Sequence, residues 1–241
     1  MTAAWEEPAM RKTIGLCFLT ATLLASSARA QSIFIDRGDP SAVDAMVGGG
    51  LVKDAWGAGV IGGYSYRGVF DVGGDFTRYA YTGGNNKNIS GYSIMPFVTW
   101  HALRHDVDEM PFSISATLGV QRIVYAGNGP VASPEGWGLL VGPSVYRRFE
   151  IGSNLVVVPE LLIAWDFQYT RYFSEAADQT SANKRNSSTG TNYSTDSKYL
   201  NFRILVRPNV LYKMGNTNYV LVPYVGWQGA LAFGGSVGAM F

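Results

Sequence analysis

Leu155-Val-Val-Val-Pro159-Glu160-Leu-Leu-Ile-Ala164-Trp165-Asp166-Phe-Gln-Tyr169-Thr170 separates by parity into two unlike faces. Leu155, Val157, Pro159, Leu161, Ile163, Trp165, Phe167 and Tyr169 fall on one side. Glu160, Ala164, Asp166, Gln168 and Thr170 fall on the other. A period of two belongs to a β-strand, whose successive side chains point to opposite faces. A soluble barrel would turn the apolar face inward to make a core. Here the second face carries charges and small residues, which suits a narrow polar lumen, so the apolar face is expected to look outward onto lipid.

Working outward along the chain, the next segment repeats the division. It sets Phe202, Ile204, Val206, Pro208, Val210 and Tyr212 against Asn201, Arg203, Arg207 and Asn209. Upstream, Phe112, Ile114, Ala116, Leu118 and Val120 oppose Ser113, Ser115, Thr117 and Gly119. Reading for alternation throughout predicts strands over 44–52, 56–67, 69–81, 89–102, 110–125, 136–148, 154–173, 198–213, 218–228 and 231–241. No helical period competes. The expectation is an all-β chain forming a transmembrane, antiparallel, up-and-down barrel of ten strands. Eight strands remain open if the glycine-rich 44–67 region makes no hairpin of its own. The connections Thr82–Asn88, Ala126–Glu135 and Ser174–Ser197 are long and polar, whereas those at Arg67-Gly68, Glu150–Ser153 and Met214–Thr217 are tight, with Leu103–Glu109 intermediate. Membrane barrels pair short turns at one end with long external loops at the other.

Composition agrees. Charged residues make up only 15% of the 241, aromatics reach 13%, glycine contributes 29 residues and the net charge is +1, which gives no footing for nucleic acid. The one cysteine, Cys17, lies in a segment read as a leader. Arg11-Lys12 begins a basic stretch, Ile14–Ala25 is apolar, and Ala28-Arg29-Ala30 supplies the small-x-small pattern of a secretory cleavage site. Residues 1–30 are therefore expected to be an N-terminal extension and cleaved signal peptide, with Met10 as the true start, and residues 31–241 the barrel domain. Without Cys17 the exported chain has no thiol for disulfides, nucleophilic catalysis or metal binding.

Trp56, Trp137 and Trp227 fall at the loop ends of their strands, and Trp100 and Tyr212 at the turn ends, as two interfacial girdles would require. Trp165 fits neither girdle. Pro96, Pro143, Pro159, Pro208 and Pro223 all carry outward parity about five residues from a tight turn, which predicts a ring of prolines at one height where the wall bends or bulges.

The inward parity gathers Arg67, Asp71, Asp75, Arg148, Glu160, Asp166, Arg203 and Arg207 into a candidate lumen charge network. Ionised groups in a lumen must be paired or hydrated. A structural ion-pair network is the favoured reading, and a charged constriction lining a small pore is the alternative. Arginine partners would keep the acids ionised, which argues against a catalytic carboxylate pair. His101 and His105 sit at the turn end, away from the external rim where lipid or peptide substrates are met, and His105–Glu109 reads as a hydrated acidic turn with no recognised metal spacing. Gly48-Gly49-Gly50 precedes no helix and is no phosphate loop. No catalytic, cofactor or metal residues are assigned. The Ser174–Ser197 loop is too polar to bury a core and is expected to be hydrated and external, and Asn186-Ser187-Ser188 within it is uninformative as a sequon.

The strand Phe233-Gly-Gly-Ser-Val237-Gly-Ala239-Met-Phe241 places Phe233, Val237, Ala239 and Phe241 on one face and ends on an aromatic residue. Together with the leader, the alternation, the loop asymmetry and the girdles, this resembles the small bacterial outer-membrane barrels of the opacity and OmpA type, at class level only. The resemblance implies the outer membrane as location and its lipid as surroundings. It also implies periplasmic chaperones and the barrel-assembly machinery as partners in biogenesis, with 231–241 as the recognised element. The function expected is structural or surface-interacting, without enzymatic activity. A narrow, porin-like channel for ions or small solutes comes second and an outer-membrane enzyme third. No residue pattern names an extracellular partner.

Overall fold

The computed structural model describes residues 32–35, 41–82, 90–105, 108–126, 132–174, 193–215, 217–228 and 230–241. The proposed leader, most of the three long loops and the Asn186 sequon lie outside these residues. Eleven strands follow a short 3-10 turn at Ser32–Phe34: β1 (Ala42–Val52), β2 (Ala55–Tyr66), β3 (Phe70–Tyr81), β4 (Ser90–Leu103), β5 (Ser113–Ala126), β6 (Ala132–Tyr146), β7 (Phe149–Ile151), β8 (Leu155–Ser174), β9 (Tyr193–Met214), β10 (Thr217–Trp227) and β11 (Leu231–Met240). Every pairing is antiparallel between sequence neighbours, with two informative exceptions. β1 pairs β11, and β6 pairs β8, so the sheet closes on itself. The three-residue β7 continues the line of β6 along β8 after a break at Arg147-Arg148. The result is a closed antiparallel barrel of ten long strands, and the glycine-rich 44–67 region supplies a full hairpin within it.

Parity decides which way each side chain points. Along β8, Val156, Val158, Glu160, Leu162, Ala164, Asp166 and Gln168 are buried, while Leu161, Trp165 and Phe167 are exposed. β4 alternates in the same manner from Gly91 to Trp100. In β8 both carboxylates therefore lie inside and the exposed aromatic groups outside, the inverse of a water-soluble barrel. Trp56, Trp137 and Trp227 stand exposed toward the loop ends and Trp100 and Tyr212 toward the turn ends. Trp165 lies mid-wall against Phe202 on the neighbouring strand, ring centroids 5.8 Å apart.

The five prolines of the expected ring, Pro96, Pro143, Pro159, Pro208 and Pro223, all face outward. Pro159, Pro208 and Pro223 share one row across β8, β9 and β10, where Pro159 pairs directly with Pro208. The ladder lapses beside Pro96, Pro143 and Pro223 and resumes in unchanged register on either side. A missing N–H costs a rung there without shifting the strands.

The closing seam explains the glycines. Gly49 faces Gly235 and Gly50 faces Gly234 across β1–β11. The Tyr224 ring from β10 lies over this pair: a Cβ on Gly50 would sit 1.9 Å from Tyr224 Oη, and one on Gly234 2.3 Å from the Gly49 carbonyl oxygen. Only glycine permits so close an approach. Beyond β11, Phe241 locks the seam through reciprocal backbone bonds with Val43, of 2.8 and 2.9 Å.

Candidate functional site

The lumen holds the chemistry. Its inner face is not uniformly polar, because two buried apolar clusters are interleaved with the charged groups. Toward the loop ends, Tyr79, Tyr81, Ile123, Leu140, Leu205 and Tyr224 belong to one buried cluster. Toward the turn ends a second cluster is formed by inward residues such as Met46, Phe97, Val158, Leu211 and Val222, and it includes Ile33, Phe34 and Ile35. These three precede β1 and are not wall residues. They occupy the barrel interior, almost fully buried. Arg104, at the end of β4, fastens them: its guanidinium donates 2.5 Å to the Ile35 carbonyl and 2.8 Å to the Gly68 carbonyl, and it is itself 1% exposed.

Among the ion pairs, Arg207 donates to Glu160 at 2.5 Å directly across β8–β9, and Asn209 Nδ2 reaches the other Glu160 oxygen at 3.0 Å. Arg203 bonds Asp166 diagonally across the same two strands, and Gln168 adds a 3.0 Å bond to the same carboxylate oxygen. Both arginines keep two nitrogens, Nε and Nη1, without a protein partner. Each pair is about 1% exposed at its side chains, so removing one partner leaves an uncompensated interior charge.

A separate chain of polar contacts runs nearer the turn end. Ser65 Oγ donates to Asp71 at 2.6 Å, His101 Nε2 lies 3.1 Å from the other Asp71 oxygen, and His101 Nδ1 lies 2.8 Å from Tyr146 Oη. In the tautomer whose Nε2–H donates to the carboxylate, Nδ1 accepts a hydrogen bond from the Tyr146 hydroxyl. His101 and Tyr146 also meet edge to face at 82°. Asp75, further along β3 toward its loop end, accepts from Thr77 at 2.7 Å.

Of the eight residues assigned to the lumen by parity, Asp71, Asp75, Glu160, Asp166, Arg203 and Arg207 face inward and are buried. Arg67 does not. It is exposed in the β2–β3 turn with a left-handed backbone (φ 50°), because the strand ends at Tyr66 and parity no longer applies. Arg148 is buried but turns to the exposed Glu150 at 2.7 Å, in the break between β6 and β7. Sequence reasoning missed Arg104, which lies one residue past a strand end. It also missed the inward His101–Tyr146 pair and Asp44 on β1. Continuing the β4 alternation to His101 would have found the histidine. Phe233 and Val237 of β11 and Phe241 just beyond it are exposed, with Ala239 half-buried beside them. His105 is held by Ser113 (3.0 and 3.1 Å), and Asp108 accepts from the Arg104 amide at 2.7 Å. Asp106 lies outside the described residues. Among the described residues no three potential ligands cluster as for a metal.

No family model and no curated protein matches this chain. Among solved structures it is similar to the β domain of the Bordetella autotransporter Brka, at 10% identity and a TM-score of 0.43, covering 83% of this chain and 98% of that one. The fold assignment rests on this chain's own closed ladder.

Proposed function

We propose that this protein is an integral outer-membrane barrel with a closed lumen, serving a structural or surface-interaction role through its external loops and having no catalytic activity. The observation that carries the reading is the filled interior, in which interstrand ion pairs and the Ile33–Ile35 segment occupy the space a pore would need. The outward apolar wall, two aromatic girdles and short turns at one end support membrane residence. The likeness to opacity and OmpA-type barrels stays at class level. A ten-strand barrel lies near the size that side chains can fill, so closure here follows from which side chains were chosen.

The test is planar-bilayer conductance of refolded residues 31–241, with heat-modifiable gel migration as proof of folding. A folded, inserted and silent barrel supports the reading. Steady open levels in the unaltered chain overturn it. One observation favours a second reading: the Ile33–Ile35 segment accepts a bond from the Arg104 side chain at the Ile35 carbonyl and belongs to no strand, so it can leave without breaking the wall. A narrow channel opened by its departure is that alternative, and Arg203 and Asp166 would then line the constriction.

A further inference from the structure

The outer wall of β5, β6, β8 and β9 carries a row that a purely lipid-facing surface does not need. Arg122 pairs with Trp137, Trp137 with Tyr169, and Tyr169 with Lys198, in direct register across four strands. All four residues have outward parity, about five residues from the loop ends of their strands. One register step toward the turn ends, the next outward row is wholly apolar: Val120, Leu139, Phe167 and Leu200. Between the rows lies a groove of about 550 Å³, with Lys198 at one edge and Trp137 and Phe167 in its wall. The Arg122 guanidinium carbon lies over the Trp137 ring, 4.7 Å from its centroid, which holds its charge beside the groove. Lys198 is exposed.

From this arrangement we propose a binding site for an anionic, phosphate-bearing membrane lipid of the leaflet on the loop side. The inference rests on the membrane reading above. Charge complementarity selects the occupant. Two cations separated by three strand spacings, about 14 Å, stand at the height of an aromatic girdle, where headgroups lie. Immediately below them the groove offers Leu139, Phe167 and Leu200 to an acyl chain. Arginine and lysine at this level receive phosphate oxygens through charge-assisted hydrogen bonds, and the tryptophan and tyrosine between them present amphipathic rings to the headgroup boundary. Apolar wall alone would hold any lipid equally. The paired cations make the site discriminate for phosphate.

The experiment titrates refolded residues 31–241 in micelles with diphosphoryl lipid A and with its dephosphorylated form, reading bound lipid by native mass spectrometry. One retained copy of the phosphorylated lipid is expected, with affinity at least tenfold above the dephosphorylated one. The Arg122→Gln/Lys198→Gln double variant should lose that tenfold preference, and Lys198→Gln alone, an exposed change that leaves folding untouched, should lose part of it. Lys53→Gln, in the β1–β2 turn on the far side of the ring, should leave it unchanged. Equal retention of both lipids overturns the proposal, as does full competition by pyrophosphate at equal concentration, which marks a simple ion site. A dimer mass abolished by the double variant also overturns it, by making the groove a contact between copies. A chain that never inserts into bilayers defeats the membrane reading itself. A chain that inserts but ignores phosphate defeats only the lipid site.

Discussion

Phe34→Ala should unseat the segment that fills the turn end of the barrel. Burying Ile33, Phe34 and Ile35 contributes about 1.5–3 kcal/mol each, and ordering the backbone of Ser32–Ile35 opposes it by about 1–2 kcal/mol per residue. Those terms nearly cancel, so the Arg104 bond to the Ile35 carbonyl, at about 1.5–3 kcal/mol, decides that the segment stays, while the Gly68 carbonyl holds the arginine in position. Truncating a buried phenylalanine costs about 3–5 kcal/mol, comparable with everything holding the segment in place. At tenfold per 1.4 kcal/mol, the fraction of molecules with the segment released rises about a hundredfold or more. The assay is bilayer conductance combined with limited proteolysis from the turn side, using heat-modifiable migration to confirm that the wall is intact. Cleavage near residue 34 and intermittent conductance are the expected results, and Arg104→Gln should behave alike. If Phe34→Ala leaves the barrel silent and its N-terminal segment protected, the lumen is closed by the wall side chains alone.

Glu160→Gln should lower the unfolding temperature in micelles, because Arg207 is left buried without its counter-charge at a cost of about 3–5 kcal/mol, whereas the double change Glu160→Leu/Arg207→Met should restore most of the loss. An equal loss in both variants would show that packing, and not charge, governs the site. Gly234→Val should abolish the compact, heat-modifiable band, since its side chain meets the Gly49 carbonyl and Tyr224 at the closing seam. Removing Phe241 deletes both reciprocal bonds to Val43 and an exposed aromatic, so surface levels of the truncated chain should fall severalfold in a protease-accessibility assay. Unaltered levels would show that neither contributes to assembly.

What could be read from the sequence and what could not divide along a physical line. An apolar outer face and a charged lumen impose opposite demands on alternate residues, so Leu155–Thr170 and Phe202–Tyr212 declare their strand and both faces. Adjacency and parity put Glu160 and Asp166 within reach of Arg203 and Arg207, and only the register decides which acid meets which arginine. Parity fails where the strand stops. Arg67 was placed inward by extending β2 one residue into a turn whose left-handed backbone points the side chain to solvent. The same limit hid Arg104, which follows β4 and curls back under the barrel. Ser32–Ile35 carries no periodicity at all, and only the assembled lumen gives its three apolar residues somewhere to go. The short β7 escaped because Arg147 and Arg148 interrupt the strand, although the chain continues along β8 beyond them.

The central claim is that lipid, not water, covers the outer wall, and neighbouring residues of β6 test it most directly. Residues 31–241 contain no cysteine, so Leu139→Cys and Leu140→Cys each give a single labelling site, one side chain 41% exposed and the next 2%. Each variant is labelled with an environment-sensitive fluorophore, refolded into bilayers and quenched with brominated lipid. The account predicts strong lipid quenching at position 139 and little at 140. Equal quenching at both, or stronger quenching at 140, would contradict it.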